Sequence, residues 1–345
     1  MSFLKTVDAK HFHTEIPAKP MGKYAHFITV RVTESYPLFQ TDGELNRARV
    51  HAGMKKDNPE SRKIISRLAM FKRKQSSPER LTGRELLRSY QIGDWDKCDY
   101  NVDFSKTTPD CILYGFAIGD AGSEKSKVVV DTAYSITPFD DSHLNFTLNA
   151  PFENGTMSRQ GEVTSRINSQ DHILPQVFFP SIITLKDPTE AGFLYVLNNI
   201  LRTRHYGAQT TRTGRVRNEL VGVIFADGEI VSNLRWTQKI YDLMTEKNQI
   251  QAPDPLNEDQ VLSAAQEAMV QLMSEECIPH TDLMGDDLEA LLAEVKAITS
   301  NETQLKKMLT QANAESVAYA QKYIFKPTTD KNKKGSKKTT AAASE

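Results

Sequence analysis

From Val177 to Trp236 the chain reads as strand, helix, polar loop, strand, turn and strand, and no other stretch narrows the fold as far. VFFPSIITL is a buried strand whose Pro180 marks an edge or a bulge. Thr189 caps a helix that carries Phe193, Val196, Leu197, Ile200 and Leu201 on one face. YGAQTTRTG is a polar loop, RVRNELVGVIFA a strand, and the Asp227–Gly228 turn leads to a further strand, EIVSNLRW. That order is the second half of a ferredoxin-like sheet. Upstream, Ile28, Val30 and Val32 alternate with Thr29, Arg31 and Thr33, which makes Ala25–Thr33 a half-buried strand.

Between these two regions the pattern is less regular. YPLFQTDGE, with Pro37 and the Asp42–Gly43 pair, is a loop. Residues 60–90 are helical but interrupted at QSSPERLTG, where Ser77 precedes Pro78 and Thr82 caps a new start near Gly83. Residues 111–118 and 127–136 read as strands joined by GDAGSEKS. Residues 137–172, rich in Asn, Ser, Gly and Pro, form an extended hairpin or arm. The remainder reads as helical, with Asn257 and Asn301 as caps and Val261, Ala265, Ala268, Met269, Leu272 and Met273 as an apolar stripe. From Lys326 the Lys-, Thr- and Ala-rich tail is expected to be disordered.

Charge is distributed unevenly although the net charge is only −1. Arg62, Lys63, Arg67, Lys72, Arg73, Lys74, Arg80, Arg84 and Arg88 form one basic segment, and Arg202, Arg204, Arg212, Arg215 and Arg217 a second. Gln249–Val295 contains no Lys or Arg. Local patches set the field a ligand meets. In GAQTTRTGRVR, glycines allow close backbone approach, and the guanidinium forks of Arg212, Arg215 and Arg217 match phosphate geometry. A solvated loop and a charged exposed helix are the plain alternatives. Two basic segments on a ferredoxin-like sheet favour RNA. Tyr206 and Trp236 are either base-stacking residues or core, the latter being the commoner role near strand ends.

Several classes of function are disfavoured. Apolar runs such as Val128–Val130 and Val223–Ala226 are too short to cross a bilayer, and MSFLKTVDAK carries no secretory apolar region, so a cytoplasmic protein with no membrane partner is expected. Cys98, Cys111 and Cys277 are too scattered for a disulfide framework. His11 and His13 lie near a terminus expected to be mobile. Asn101 and Thr108 stand where a zinc knuckle around Cys98 and Cys111 would need its other cysteines. No Walker loop, dinucleotide fingerprint, G-x-S-x-G or HExxH motif occurs.

The stretches SYPLFQTDGELNRARV, SSPERLTGRELLR, YGFAIGDAGSEKSKVVVD, NAPFENGTMSR and FLYVLNNILRTRHYGAQTTRTGRVRNELVG resemble the backbone subunits of type I-D CRISPR Cascade, the Csc-two branch of the Cas-seven (RAMP) superfamily. The similarity runs from about Tyr24 to Asp242. It implies an α+β fold with an RRM-like (ferredoxin-like) palm over residues 24–245. Within the palm lie an inserted helical and knuckle region (about 52–110) and a β-hairpin thumb (about 138–172). An N-terminal segment (1–23), acidic C-terminal helices (246–325) and a basic tail (326–345) complete the chain. The resemblance also implies an RNA-binding scaffold that oligomerises along crRNA, its thumb displacing one guide base per repeat. Partners would be crRNA, target nucleic acid paired to the guide, copies of itself and other Cascade subunits. The RNA-binding residues expected are Arg31, Arg47, Arg49, Arg73, Lys74, Arg80, Arg84, Arg88, Thr156, Met157, Arg159, Gly207, Arg212, Arg215 and Arg217, with Gly155 near the RNA. The knuckle of related proteins can bind zinc. This chain keeps one cysteine of each pair, so no cofactor is expected, and Cys98 and Cys111 are the candidates if zinc is held. Type III backbones cut target RNA with an Asp after the first strand, and Asp42 is the nearest counterpart, although FQTDGE is equally an Asp-Gly turn. A non-enzymatic role is therefore expected. A metal-dependent single-strand nuclease in the same complex and a standalone RRM-type RNA-binding protein are the alternatives.

Overall fold

The computed structural model describes residues 2–99, 102–118, 122–148, 158–159, 162–163, 168–208 and 214–325. Its main sheet and the two helices packed on it are β1 (Tyr24–Thr33), α1 (Lys72–Ser89), β2 (Val128–Val130), β3 (Phe178–Lys186), α2 (Glu190–Arg202) and β4 (Gly214–Ala226), in that chain order. The strands lie in the order β4–β1–β3–β2, each antiparallel to its neighbour. β1 pairs with β3 from Tyr24↔Lys186 to Val32↔Phe178. Then follow α3 (Asn233–Glu246), α4 (Glu258–Met273), β5 (His280–Leu283), α5 (Asp286–Thr299) and α6 (Glu302–Tyr319).

β1 is buried on both faces from Ala25 to Thr33, not on one. Phe27 packs against Phe193 of α2 with ring centroids 5.0 Å apart. On the opposite face Ile28, Val30 and Val32 share a cluster with Trp236 and Ile240 of α3 and Val261 and Met269 of α4. The sheet is thus a middle layer between two helical layers, as expected of strands whose apolar residues lie on both sides.

Several elements depart from the expectations of sequence. α1 runs unbroken through Pro78, because Gln75, Glu79, Gly83 and Leu87 recur every fourth residue as a buried stripe that outweighs one missing N–H. Thr82 does not cap a new start; its hydroxyl donates to the Pro78 carbonyl (3.1 Å). Residues 109–114 are a helix rather than a strand, since Thr108, Pro109 and Asp110 form a helix start that overrides the β propensity of the residues after them. The expected strand at 229–236 is likewise the start of α3, capped by the Ser232 hydroxyl, which accepts from Arg235 N–H. β5 interrupts the C-terminal helices and adds to the sheet beside β4. The N-terminal segment is fixed: the Glu190 carboxylate accepts from Phe3 N–H (2.9 Å) and Leu4 N–H (2.7 Å), and His11 stacks on Phe225. In the arm, His143–Leu148 pairs antiparallel with Asn168–Ile173, and Ser158–Arg159 with Glu162–Val163.

Two consequences of this packing are testable. A Cβ on Gly83 would lie 2.4 Å from Tyr195 Oη and Asn199 Nδ2. Gly83→Ala should therefore destabilise by about 1–3 kcal/mol through overpacking, read from the urea midpoint. His26 is buried between Thr184 Oγ1 (2.8 Å) and the Gly228 carbonyl (3.0 Å). Burial lowers its pKa to about 4. The unfolded chain, with an ordinary imidazole near 6.5, binds the proton more readily, so acid favours unfolding. The contribution is present above pH ~6.5 and is lost as pH falls through about 4, by ~3 kcal/mol in all. Urea midpoints across pH 4–7 should show this limb, and His26→Gln should flatten it even if it costs stability at pH 7.

Candidate nucleic-acid interface

The first turns of α1 and the chain leaving α2 face each other across a cleft of about 640 Å³. Because Gln75 and Glu79 turn into the core, Arg73, Lys74, Ser77, Pro78 and Leu81 are left on the outer side of α1. The opposite wall is Arg202–Ala208. Thr203, the C-cap of α2, ties the walls together: its hydroxyl lies 2.9 Å from Thr82 Oγ1. Gly207 bends the wall at φ +128°, where a Cβ would meet the Leu38 carbonyl at 3.0 Å.

Cations dominate this cleft. Among the described residues Arg73, Lys74, Arg202 and Arg204 have no carboxylate partner, and Glu85 is the one acidic side chain in the lining. Arg202 donates to neutral acceptors, Asn198 Oδ1 (2.9 Å) and the Thr299 carbonyl (2.8 Å), so its charge stays uncompensated. Arg204 Nη1 is buried and has no hydrogen-bond partner among the described residues, so this donor is under-satisfied. The Lys74 pKa is lowered by burial and by the Arg73 charge beside it, strain that an anion would relieve.

Arg73, Lys74 and Gly207, expected at RNA, line this cleft. Other expected residues do not. Arg31 is fully buried and paired with Glu79 (2.8 Å), so it cannot reach a phosphate. Arg80 grips Asp110 through Nε (2.7 Å) and Nη2 (3.0 Å), and Arg84 is buried beside it with Nη2 on the Cys98 carbonyl. Arg88 donates to the same carbonyl (2.9 Å). These three arginines recur every fourth residue to anchor the Cys98–Cys111 region instead of presenting a basic stripe. Arg215 and Arg217 do share one side of β4, but Glu34 bridges both, and Glu219 and Glu258 also pair with Arg217. Arg47 and Arg49 are exposed on the strand Arg47–His51, away from the cleft lining, with Arg47 over the Phe139 ring. Gly155, Thr156, Met157 and Arg212 lie outside the described residues, and Arg159 is in the short Ser158–Arg159 strand. Tyr206 and Trp236 are core. Arg202 and Arg204 were visible in sequence as charges, but only the fold sets them opposite Arg73 and Lys74.

The two cysteines are neighbours, with Sγ atoms 3.7 Å apart. That spacing suits two thiolates on one tetrahedral zinc, for which about 3.8 Å follows from Zn–S bonds of about 2.3 Å. The rest of the set does not fit. Asp110 is the third member, yet both its oxygens are held by Arg80, and the group stops at three among the described residues. A closed structural site needs about four ligands. Asp42 and Gly43 both have positive φ in an exposed turn between Gln40–Thr41 and Glu44–Leu45, the geometry of a tight Asp-Gly hairpin turn.

A family model described as Csc2 Crispr matches residues 11–309. The chain belongs to the Csc2 CRISPR family. Its fold is similar to that of the crystal structure of Thermofilum pendens Csc2, with a TM-score of 0.56 at 14% identity over 91% of this chain and 95% of that one. A chain of a CRISPR RNA-guided surveillance complex aligns with a TM-score of 0.47 at 11% identity, over 79% of this chain and 98% of that one. A chain of such a complex in a pre-nicking state gives 0.48 at 10% identity, over 80% and 99%. No curated protein sequence matches. The shared Csc2 architecture is mixed α/β, and in this family member the cleft lies at its α1–α2 edge. No described helix is long and apolar enough to cross a membrane.

Proposed function

We propose that this Csc2 family member binds crRNA as a backbone subunit that oligomerises along the guide in a type I-D CRISPR surveillance complex. The observation that carries the reading is the α1–α2 cleft with four cations free of carboxylates and an orphaned buried donor on Arg204. The chain order β1–α1–β2–β3–α2–β4 with sheet order β4–β1–β3–β2 supports an RRM-like palm. An RRM binds RNA on the open face of its sheet. Here α3 and α4 cover that face, which favours the cleft as the RNA track. The paired strands from His143 to Ile173 are read as the stem of the thumb, which would shape the guide with Met157. Phosphate contacts position the guide without reading it, leaving recognition of target nucleic acid to base pairing. Copies of the chain and other Cascade subunits are the remaining partners.

The test is a salt titration of single-stranded RNA binding by fluorescence anisotropy. Log affinity should fall linearly with log salt, by about 0.7 per neutralised phosphate, and unrelated spacers should bind alike. A salt-independent affinity, or strong preference among spacers, would refute the reading.

A further inference from the structure

Tyr36 is a large aromatic residue left 42% exposed, with no hydroxyl partner among the described residues. Its backbone is held from several sides. Ser35 Oγ accepts from Arg215 N–H (2.7 Å), and the Tyr36 carbonyl accepts from the buried His172 ring (3.2 Å). Pro37 presses on Gly214 so closely that a Cβ there would lie 2.3 Å from its nitrogen. Leu38 accepts from Ala208 N–H (2.7 Å), at the end of the cleft wall. Phe146, in the first strand of the arm, supports the ring edge-on at 5.0 Å and 89°, and in turn meets His172 at 5.2 Å. Tyr36 therefore stands between the end of the cationic cleft and the root of the arm, fixed in place before any ligand arrives.

We propose that Tyr36 is a stacking platform for a base of single-stranded RNA, the step by which the guide passes from the cleft to the arm. This rests on the RNA reading above. Stacking on an aromatic face is tolerant of sequence and adds to phosphate binding without adding charge. It predicts a contribution that needs bases but not a particular base.

The experiment compares oligo(A) with an abasic strand of equal length and equal phosphate count. Wild-type protein should prefer oligo(A) by about tenfold, ~1.4 kcal/mol. Tyr36→Ala should abolish that preference with the salt slope unchanged, and Tyr36→Phe should keep it. With Tyr36→Trp, oligo(A) should quench the new indole and the abasic strand should not; this readout decides if Tyr36→Ala fails to fold. Equal affinity for both strands in wild type, or no differential quenching of Tyr36→Trp, overturns the platform. If Arg73→Ala with Lys74→Ala still weakens both strands in that case, the cleft stands and only the stacking fails. If wild type binds neither strand, the RNA reading itself fails.

Discussion

Replacing Glu79 with alanine is expected to cost about 3–5 kcal/mol of stability, because it strands the Arg31 guanidinium in the core. Neither side chain of this pair is exposed. Arg31 Nη1 also donates to Asn218 Oδ1 (2.8 Å) and the Tyr206 hydroxyl (3.1 Å), and that hydroxyl reaches Glu79 Oε1 (3.1 Å). Arg31 Nε and Glu79 Oε2 have no hydrogen-bond partner among the described residues, so the network is incompletely satisfied. An apolar pair of similar volume should therefore fare much better than either single change. Arg31→Met with Glu79→Leu is expected to recover most of what Glu79→Ala loses, measured by urea unfolding. A Glu79→Ala loss below about 1 kcal/mol would show that the pair is not desolvated as the geometry requires. The pair joins α1 to β1, and through the Tyr206 hydroxyl it also ties α1 to the chain that leaves α2, so the same variant should weaken RNA binding by misplacing the two walls of the cleft.

Some local signals were legible in the sequence, although Pro78 and Thr82 were not among them. Thr189, Asn257 and Asn301 cap their helices as expected, each accepting from the N–H three residues on. The alternation of Arg215 and Arg217 also holds along β4. What failed was the inference from type to exposure. Arg31 stands opposite Ile28, Val30 and Val32 in a two-residue pattern, so it reads as solvent-facing. The cover for its side of β1 comes from α1, and its countercharge from Glu79, far along the chain. The same holds for Arg80, Arg84 and Arg88. Their helical spacing is that of a solvated basic stripe until Asp110 and the Cys98 carbonyl are brought beneath them. Cys98 and Cys111 come close with Cys111 on the helix at residues 109–114, where sequence favoured a strand, and with the Cys98 carbonyl and Asp110 both held by arginines of α1. Charge was readable, but its pairing depends on tertiary contacts, and pairing decides whether a cation can bind a phosphate. Among the described residues, the cleft gathers four cations for which that pairing is missing.

Removing the four cleft cations together, by Arg73→Ala, Lys74→Ala, Arg202→Ala and Arg204→Ala, should weaken single-stranded RNA binding by about a thousandfold at 0.1 M salt. Each neutralised phosphate contributes about 0.7 to the log–log salt slope. Relative to 1 M salt, each is then worth about 0.7 of a decade at 0.1 M, and four give nearly three decades, or ~4 kcal/mol. The slope itself should become shallower by about three. None of the four is fully buried or paired with a carboxylate among the described residues, so the variant should keep its fold. The matched control is Arg215→Ala with Arg217→Ala. Those guanidinium groups already face Glu34, Glu219 and Glu258, so their removal should leave the slope nearly unchanged. Both sets remove arginine charge within a few residues of Ala208 and Gly214 in sequence, and only the cleft set removes charge that lacks a carboxylate partner among the described residues. If the control pair flattened the salt slope while the cleft set left it intact, the guide would run along the β4 side of the sheet, and the α1–α2 cleft would not be its track.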